Sequence, residues 1–298
     1  MRVASNTVSD GIVRQIQQLS SQQAKLQNQV ATGQRISQPE DDPAAVGRVL
    51  NLESERRQLA QYGSNANRAL EIAQASFSGL QGLKTISDRA GQLATLGTGA
   101  LGADALKAYG SETNQLIEQA VQAANTRFSG NYIYAGAAVD VPPFTVARDA
   151  TGQITSVTYN GDAAQPAIPL SEAASISPST SGTTNSGLAD FINHLVGLRD
   201  ALNSGDTTAV AATQTGLTTS EDLLVSSIAD NGGVQTRIQA SQSQQTDRMT
   251  SLDSLVSSET DADLPSTIVK LTQTQTAYQA ALQSAANIMH LSLLDYLK

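Results

Sequence analysis

Two stretches, one near each end of the chain, set their apolar residues on a single narrow stripe. Ile12, Ile16, Leu19, Gln23, Leu26 and Val30 advance by alternating steps of four and three residues. Leu264, Ile268, Leu271, Gln275, Tyr278, Leu282, Ala285 and Met289 advance in the same way, and Leu293 lies four residues beyond Met289. On an α-helix that spacing makes a seam for another helix, narrower than the face a helix turns to a globular core. Each seam carries one glutamine, a polar seam residue of the kind that sets register at some cost in stability. The residues expected to form the assembly seam are therefore Ile12, Ile16, Leu19, Leu26, Val30, Ile268, Leu271, Tyr278, Leu282, Met289 and Leu293.

Between the seams the pattern stays helical on both sides of a different middle. Gly33 is a C-terminal stop for a first helix over about 5–31. Asp42 before Pro43 is a strong start, a carboxylate at the N-cap followed by proline at the first helical position. Apolar positions from Val46 to Leu93 predict one helix to about residue 96, roughly 80 Å at 1.5 Å per residue. The run Gly97–Gly102 breaks it, and a return helix over about 104–128 follows. From Tyr132 the period changes. Tyr132–Tyr134 and Phe144–Val146 read as short strands, Ile154–Tyr159 alternates, and Asn160-Gly161 is a hairpin-turn dipeptide. Five of the eight prolines fall at 142, 143, 166, 169 and 178. Helices resume over about 188–203 and 207–228, an interruption is expected at Asp230–Gly233, and helix returns over 234–256.

The expected fold is mainly α: an elongated helical rod with terminal coiled-coil helices and a small β-rich outer domain. The expected divisions are residues 1–42 with 260–298, residues 43–130 with 187–259, and residues 131–186.

Composition sharpens this reading. The 298 residues are 40 % hydrophobic but 4 % aromatic, without tryptophan, so the core is expected to be thin. A net charge of −9 argues against nucleic-acid binding. With no cysteine there is neither a disulfide nor a thiolate metal site. No stretch has the apolar length of a membrane span or of a signal-peptide core, so membrane insertion is not expected.

Candidate chemistry is sparse. Gly97-Thr98-Gly99-Ala100-Leu101-Gly102 matches the dinucleotide-binding pattern by letter, but the motif needs a preceding strand. Here a helix precedes it, and a helix–helix turn is the better reading. His194 and His290 are the two histidines, each alone on a helical stretch. No nucleophile, base and orienting group come together in the sequence, so no enzyme, cofactor or metal site is expected.

The segment Ala31-Thr32-Gly33-Gln34-Arg35-Ile36-Ser37-Gln38-Pro39-Glu40-Asp41-Asp42-Pro43 resembles the N-terminal signature of the flagellin superfamily. Its Asp-Asp-Pro ending resembles the hook-associated protein 3 branch, the hook–filament junction proteins. Tyr132-Ile133-Tyr134-Ala135-Gly136 with Pro143-Phe144, Ser258–Leu264 and Leu291–Leu297 are similar to further motifs of that branch. The resemblance implies a structural subunit that joins the hook region to the flagellin filament by helical assembly. A short flagellin forming the filament itself is the alternative. It implies as partners identical subunits, another hook-associated protein, flagellin and a flagellar export chaperone. It also implies an extracellular place on the flagellum, reached by type III export without a cleavable signal.

Overall fold

The computed structural model describes residues 2–99 and 102–296, with side chains from residue 10 to residue 287. It is mainly α. Among the described residues there are six helices, α1 (Arg2–Thr32), α2 (Pro43–Gly97), α3 (Ala103–Ala124), α4 (Gly182–Ser204), α5 (Thr207–Thr260) and α6 (Leu264–Tyr296), and three two-stranded sheets. The chain forms two compact units, Met1–Gln58 with Arg248–Lys298, and Leu59–Asp247.

In the first unit α1 packs along α6. α1 stops where expected: Gly33 takes φ of 71° and its N–H donates to the Gln29 carbonyl at 2.9 Å. Only a residue without Cβ adopts this left-handed turn at no steric cost. α2 starts at the expected cap, with the Asp42 carboxylate accepting the Ala45 N–H at 3.0 Å.

The second unit is built around one large apolar cluster. Leu80, Leu83 and Leu93 of α2 meet Ile117 of α3, Phe191, Leu195 and Leu198 of α4, and Leu217 and Leu224 of α5. The hairpin of β3 (Phe144–Arg148) and β4 (Ile154–Tyr159) adds Phe144, Ile154 and Val157 to it. A smaller cluster sets Leu170 and Ile176 on the alanine face Ala66, Ala69 and Ala73 of α2, beside Ile238 of α5. Leu170 follows the two-residue strand β5 (Ile168–Pro169), and Ile176 ends its partner β6 (Ser175–Ile176).

Three expectations change. The interruption at Asp230–Gly233 is absent, and α5 runs unbroken from Thr207 to Thr260. Asn231 is buried there and its side-chain oxygen accepts from Gln235 at 2.7 Å, so packing overrides the turn propensity of the two glycines. Asn160-Gly161 is not the hairpin turn. The β3–β4 loop is Asp149–Gln153, where one Asp149 carboxylate oxygen accepts the N–H groups of Thr151 and Gln153 at 2.8 and 2.9 Å. Asn160 instead closes the open end of the hairpin, its N–H donating to the Pro143 carbonyl at 2.7 Å. Tyr132–Tyr134 is only partly a strand: β2 is Asn131–Tyr132, paired with β1 (Arg127–Phe128), and the chain then turns.

Candidate assembly surface

The stripe read on α1 is the half-covered one. Ile12, Ile16, Leu19, Gln23 and Val30 are half-buried and Leu26 is buried, whereas the neighbours on either side are mostly glutamine, serine and asparagine, and exposed. On α6 the covered face is rotated from the sequence stripe. Thr267 and Thr274 are buried, and Leu271, Gln275, Tyr278, Ala281 and Ala285 are half-buried. Threonine and alanine on the covered side let the partner backbone come close, and the larger residues lie towards its rim.

Ile268 and Leu282, seven residues either side of Gln275, stay 49 % and 43 % exposed, with Leu264 at 40 % and Val269 at 56 %. α6 thus carries an apolar row that α1 leaves open. The side chains of Met289 and Leu293 lie outside the described residues.

The segments that lead into α2 and out of α5 are tied to each other. Gln34 and Asp261 form an antiparallel bridge. The Arg35 N–H donates to the Thr260 carbonyl at 2.7 Å and the Ala262 N–H to the Gly33 carbonyl at 2.8 Å. Side chains reinforce this tie. The Arg35 guanidinium bridges the Asp42 carboxylate at 3.0 Å and the Glu259 carbonyl at 2.8 Å. Arg48 makes a bidentate pair with Glu259, both contacts at 2.8 Å, the geometry that planar guanidinium and carboxylate groups favour. Asp41 accepts from the Ser37 and Gln38 N–H groups and pairs with Lys25 at 2.7 Å.

Electrostatics follow this geometry. Lys25 and the two backbone donors hold the Asp41 carboxyl down at about 2. The Ala45 N–H and Arg35 lower Asp42, and Arg48 lowers Glu259. The whole Thr32–Pro43 signature is therefore a clasp. The sequence reading found its cap and its turn but missed Arg35, Arg48 and Glu259, whose partners lie more than 200 residues apart in the chain.

The nucleotide-like glycine run follows α2 directly, with no strand before it; Ala100 and Leu101 lie outside the described residues. His194 sits on α4 against Ser220, Nδ1 to Oγ at 2.9 Å, and the His290 side chain lies outside the described residues. Among the described residues no helix is long and apolar enough to cross a membrane, and no His, Cys, Asp and Glu group is arranged to hold a metal.

Comparison with known proteins agrees with the resemblance read from the sequence. Residues 3–138 match the bacterial flagellin N-terminal helical region. The chain is 23 % identical to flagellar hook-associated protein 3 of Escherichia coli over the full length of both proteins. It is 27 % identical to flagellar hook-associated protein 3 of Salmonella typhimurium over 55 % of this chain, and that match spans about half (53 %) of the Salmonella protein. In fold it is similar to a flagellar hook-associated protein structure from Vibrio parahaemolyticus, with a TM-score of 0.66, 14 % identity and coverage of 74 % of this chain and 100 % of that one. The crystal structure of Bacillus cereus FlgL is similar at a TM-score of 0.60 and 20 % identity, over 70 % of this chain and 99 % of that one.

Proposed function

We propose, from its similarity to the bacterial flagellin N-terminal helical region and to flagellar hook-associated protein 3, that this chain belongs to the flagellin superfamily on its hook-associated protein 3 branch and is a structural subunit of the bacterial flagellum. It joins the hook region to the flagellin filament by helical assembly of identical subunits. The observation that carries this reading is the open apolar row Leu264, Ile268 and Leu282 on α6. The row lies beside the face of α6 that α1 covers, and on this reading a neighbouring subunit covers it. Removing each large apolar side chain from water against such a neighbour is worth about 1.5–3 kcal/mol. Two of the curated relatives it matches carry the name flagellar hook-associated protein 3, which favours the junction over a filament-forming flagellin.

On this reading Ile12, Ile16, Leu19, Leu26 and Val30 hold α6 in place, Leu271 and Tyr278 complete that contact, and Ile268, Leu282, Met289 and Leu293 meet the next subunit. The division into an inner part (1–42 with 260–298), a helical part (43–130 with 187–259) and an outer part (131–186) belongs to the same proposal. So do its partners, a further hook-associated protein, flagellin and an export chaperone, and its extracellular place reached by type III export. A strain lacking the gene tests the role. Release of unpolymerised flagellin into the medium is expected, and an intact filament would overturn the reading.

A further inference from the structure

The β3–β4 hairpin has two outer edges, and on each a side-chain amide pairs with the backbone of one residue. On the β4 edge the Val157 N–H donates to Asn193 Oδ1 at 2.8 Å, and Asn193 Nδ2 donates to the Val157 carbonyl at 2.9 Å. On the β3 edge the Phe144 N–H donates to Asn125 Oδ1 at 3.1 Å, and Asn125 Nδ2 donates to the Phe144 carbonyl at 2.9 Å. In each case one amide satisfies both backbone groups of one residue, as an added strand would. A third side chain joins them: the Arg199 guanidinium, 3 % exposed, donates to the Ile154 carbonyl at 2.7 Å.

The strand behind two of these three contacts explains why they matter. β4 reads Ile-Thr-Ser-Val-Thr-Tyr, six residues rich in β-branched and aromatic side chains, with no charge, proline or glycine. That composition marks a segment able to stack against copies of itself. An exposed edge with free N–H and C=O groups is the template for such pairing, and natural sheets close it. Thr155, Ser156 and Thr158 face solvent, so the strand is not hidden by burial alone.

We propose that Asn193 and Arg199 guard the β4 edge, and Asn125 the β3 edge, against strand addition by the same segment, Ile154–Tyr159, of a second copy of this chain. The guard is a property of the folded chain and does not depend on the flagellar reading.

The test uses the full chain. Asn193→Ala opens the β4 edge, and the Asn125→Ala/Asn193→Ala double variant opens both. Leu195→Ala, which empties a fully buried site in the same cluster, is the matched control because it lowers stability with both clamps in place. Compared at urea concentrations giving equal fractions folded, the asparagine variants are expected to associate at least severalfold faster, with a new intermolecular β-sheet band in the infrared spectrum. Ser156→Lys on the Asn193→Ala background, which puts a charge into the uncharged segment, is expected to restore the monomer. Hydrogen exchange gives a second reading on folded protein: protection of the Val157 amide should fall roughly fivefold on loss of its acceptor. Asn193→Ser, too short to reach Val157, replaces the alanine variant if that one does not fold. Association no faster than in Leu195→Ala, or an unchanged Val157 amide, would overturn the proposal. Neither outcome touches the deletion-strain test of the junction role.

Discussion

Tyr134 shows how much one side chain can depend on a distant glycine. It is fully buried, and its hydroxyl donates to the Ser76 carbonyl at 2.8 Å, lying over Gly79 of α2. Burial pushes the phenol well above its ordinary range, so it stays neutral at any physiological pH. A Cβ on Gly79 would stand 2.3 Å from the Tyr134 oxygen. Two positions on, Gly136 takes φ of 66°, and a Cβ there would stand 2.0 Å from the Asp162 carbonyl oxygen. Tyr134→Phe is expected to cost about 1 kcal/mol, one neutral hydrogen bond. Gly136→Ala combines backbone strain with a backbone clash and is expected to cost roughly 3 kcal/mol or more. Gly130→Ala, at φ of 88° but with open space around it, should cost only about 1 kcal/mol. Urea denaturation of the three variants checks the order, and an equal effect of the two glycine changes would refute the clash. The sequence marks Tyr132–Gly136 as a motif but reads its first three residues, Tyr132–Tyr134, as a strand. Periodicity treats Gly79 as neutral, and the tyrosine's partner is a helix carbonyl 58 residues away.

At the scale of elements, α1, α2 and α6 were legible because hydrophobic spacing is local, whereas α5 was expected to break at Asp230–Gly233 and does not. The face of α6 was not legible, since three neighbouring rows of that helix are apolar or small and only a partner chooses among them. Leu26→Ala, at a buried seam position, is expected to destabilise the first unit by about 2–3 kcal/mol. Ile268→Ala should leave the isolated chain within about 0.5 kcal/mol while lowering incorporation into flagella. Normal incorporation of the Ile268 variant would remove that residue from the subunit contact. α5 gives a further case. Gly232 and Gly233 lie inside the helix with nothing within 4 Å of an added Cβ, so alanine at each should stabilise by about 0.5–1 kcal/mol, seen as a higher melting temperature.

The clasp belongs to this scale as well. Asp41, Asp42 and Glu259 are all held below their ordinary values, so each contributes stability that is present above the unfolded carboxylate pKa of about 4 and is lost as pH falls through its folded value. For Asp41 the window runs from about 4 down to about 2. Hydrogen exchange at the Arg35 and Ala262 amides should quicken across that window beyond its intrinsic pH dependence. Glu259→Gln should blunt the change, and an unaltered profile in that variant would show that Glu259 plays no part.

For the whole molecule, the two units differ in how the chain supplies them. Deleting residues 265–298 is expected to abolish incorporation into flagella while leaving Leu59–Asp247 folded, because among the described residues that unit's apolar clusters include none from the deleted segment. Loss of the cooperative unfolding transition in the truncated protein would contradict this. The presence of a helical frame and of a β-containing insertion was legible from the change of period near Tyr132. The clusters that bind them were not, because the residues that meet in them are far apart in sequence.

The bridge between Gln34 and Asp261 has a consequence in time. It pairs residues 227 positions apart, so most of the chain must have been made before it can close. Closing so long a loop is entropically costly and slow compared with forming local contacts. A chain delivered from one end, by a ribosome or through a narrow conduit, can complete Leu59–Asp247 from contiguous sequence, but not the first unit until its last segment has emerged. The clasp is therefore a late contact: a subunit whose Gly33 and Thr260 carbonyls are both engaged is one delivered at least as far as Ala262.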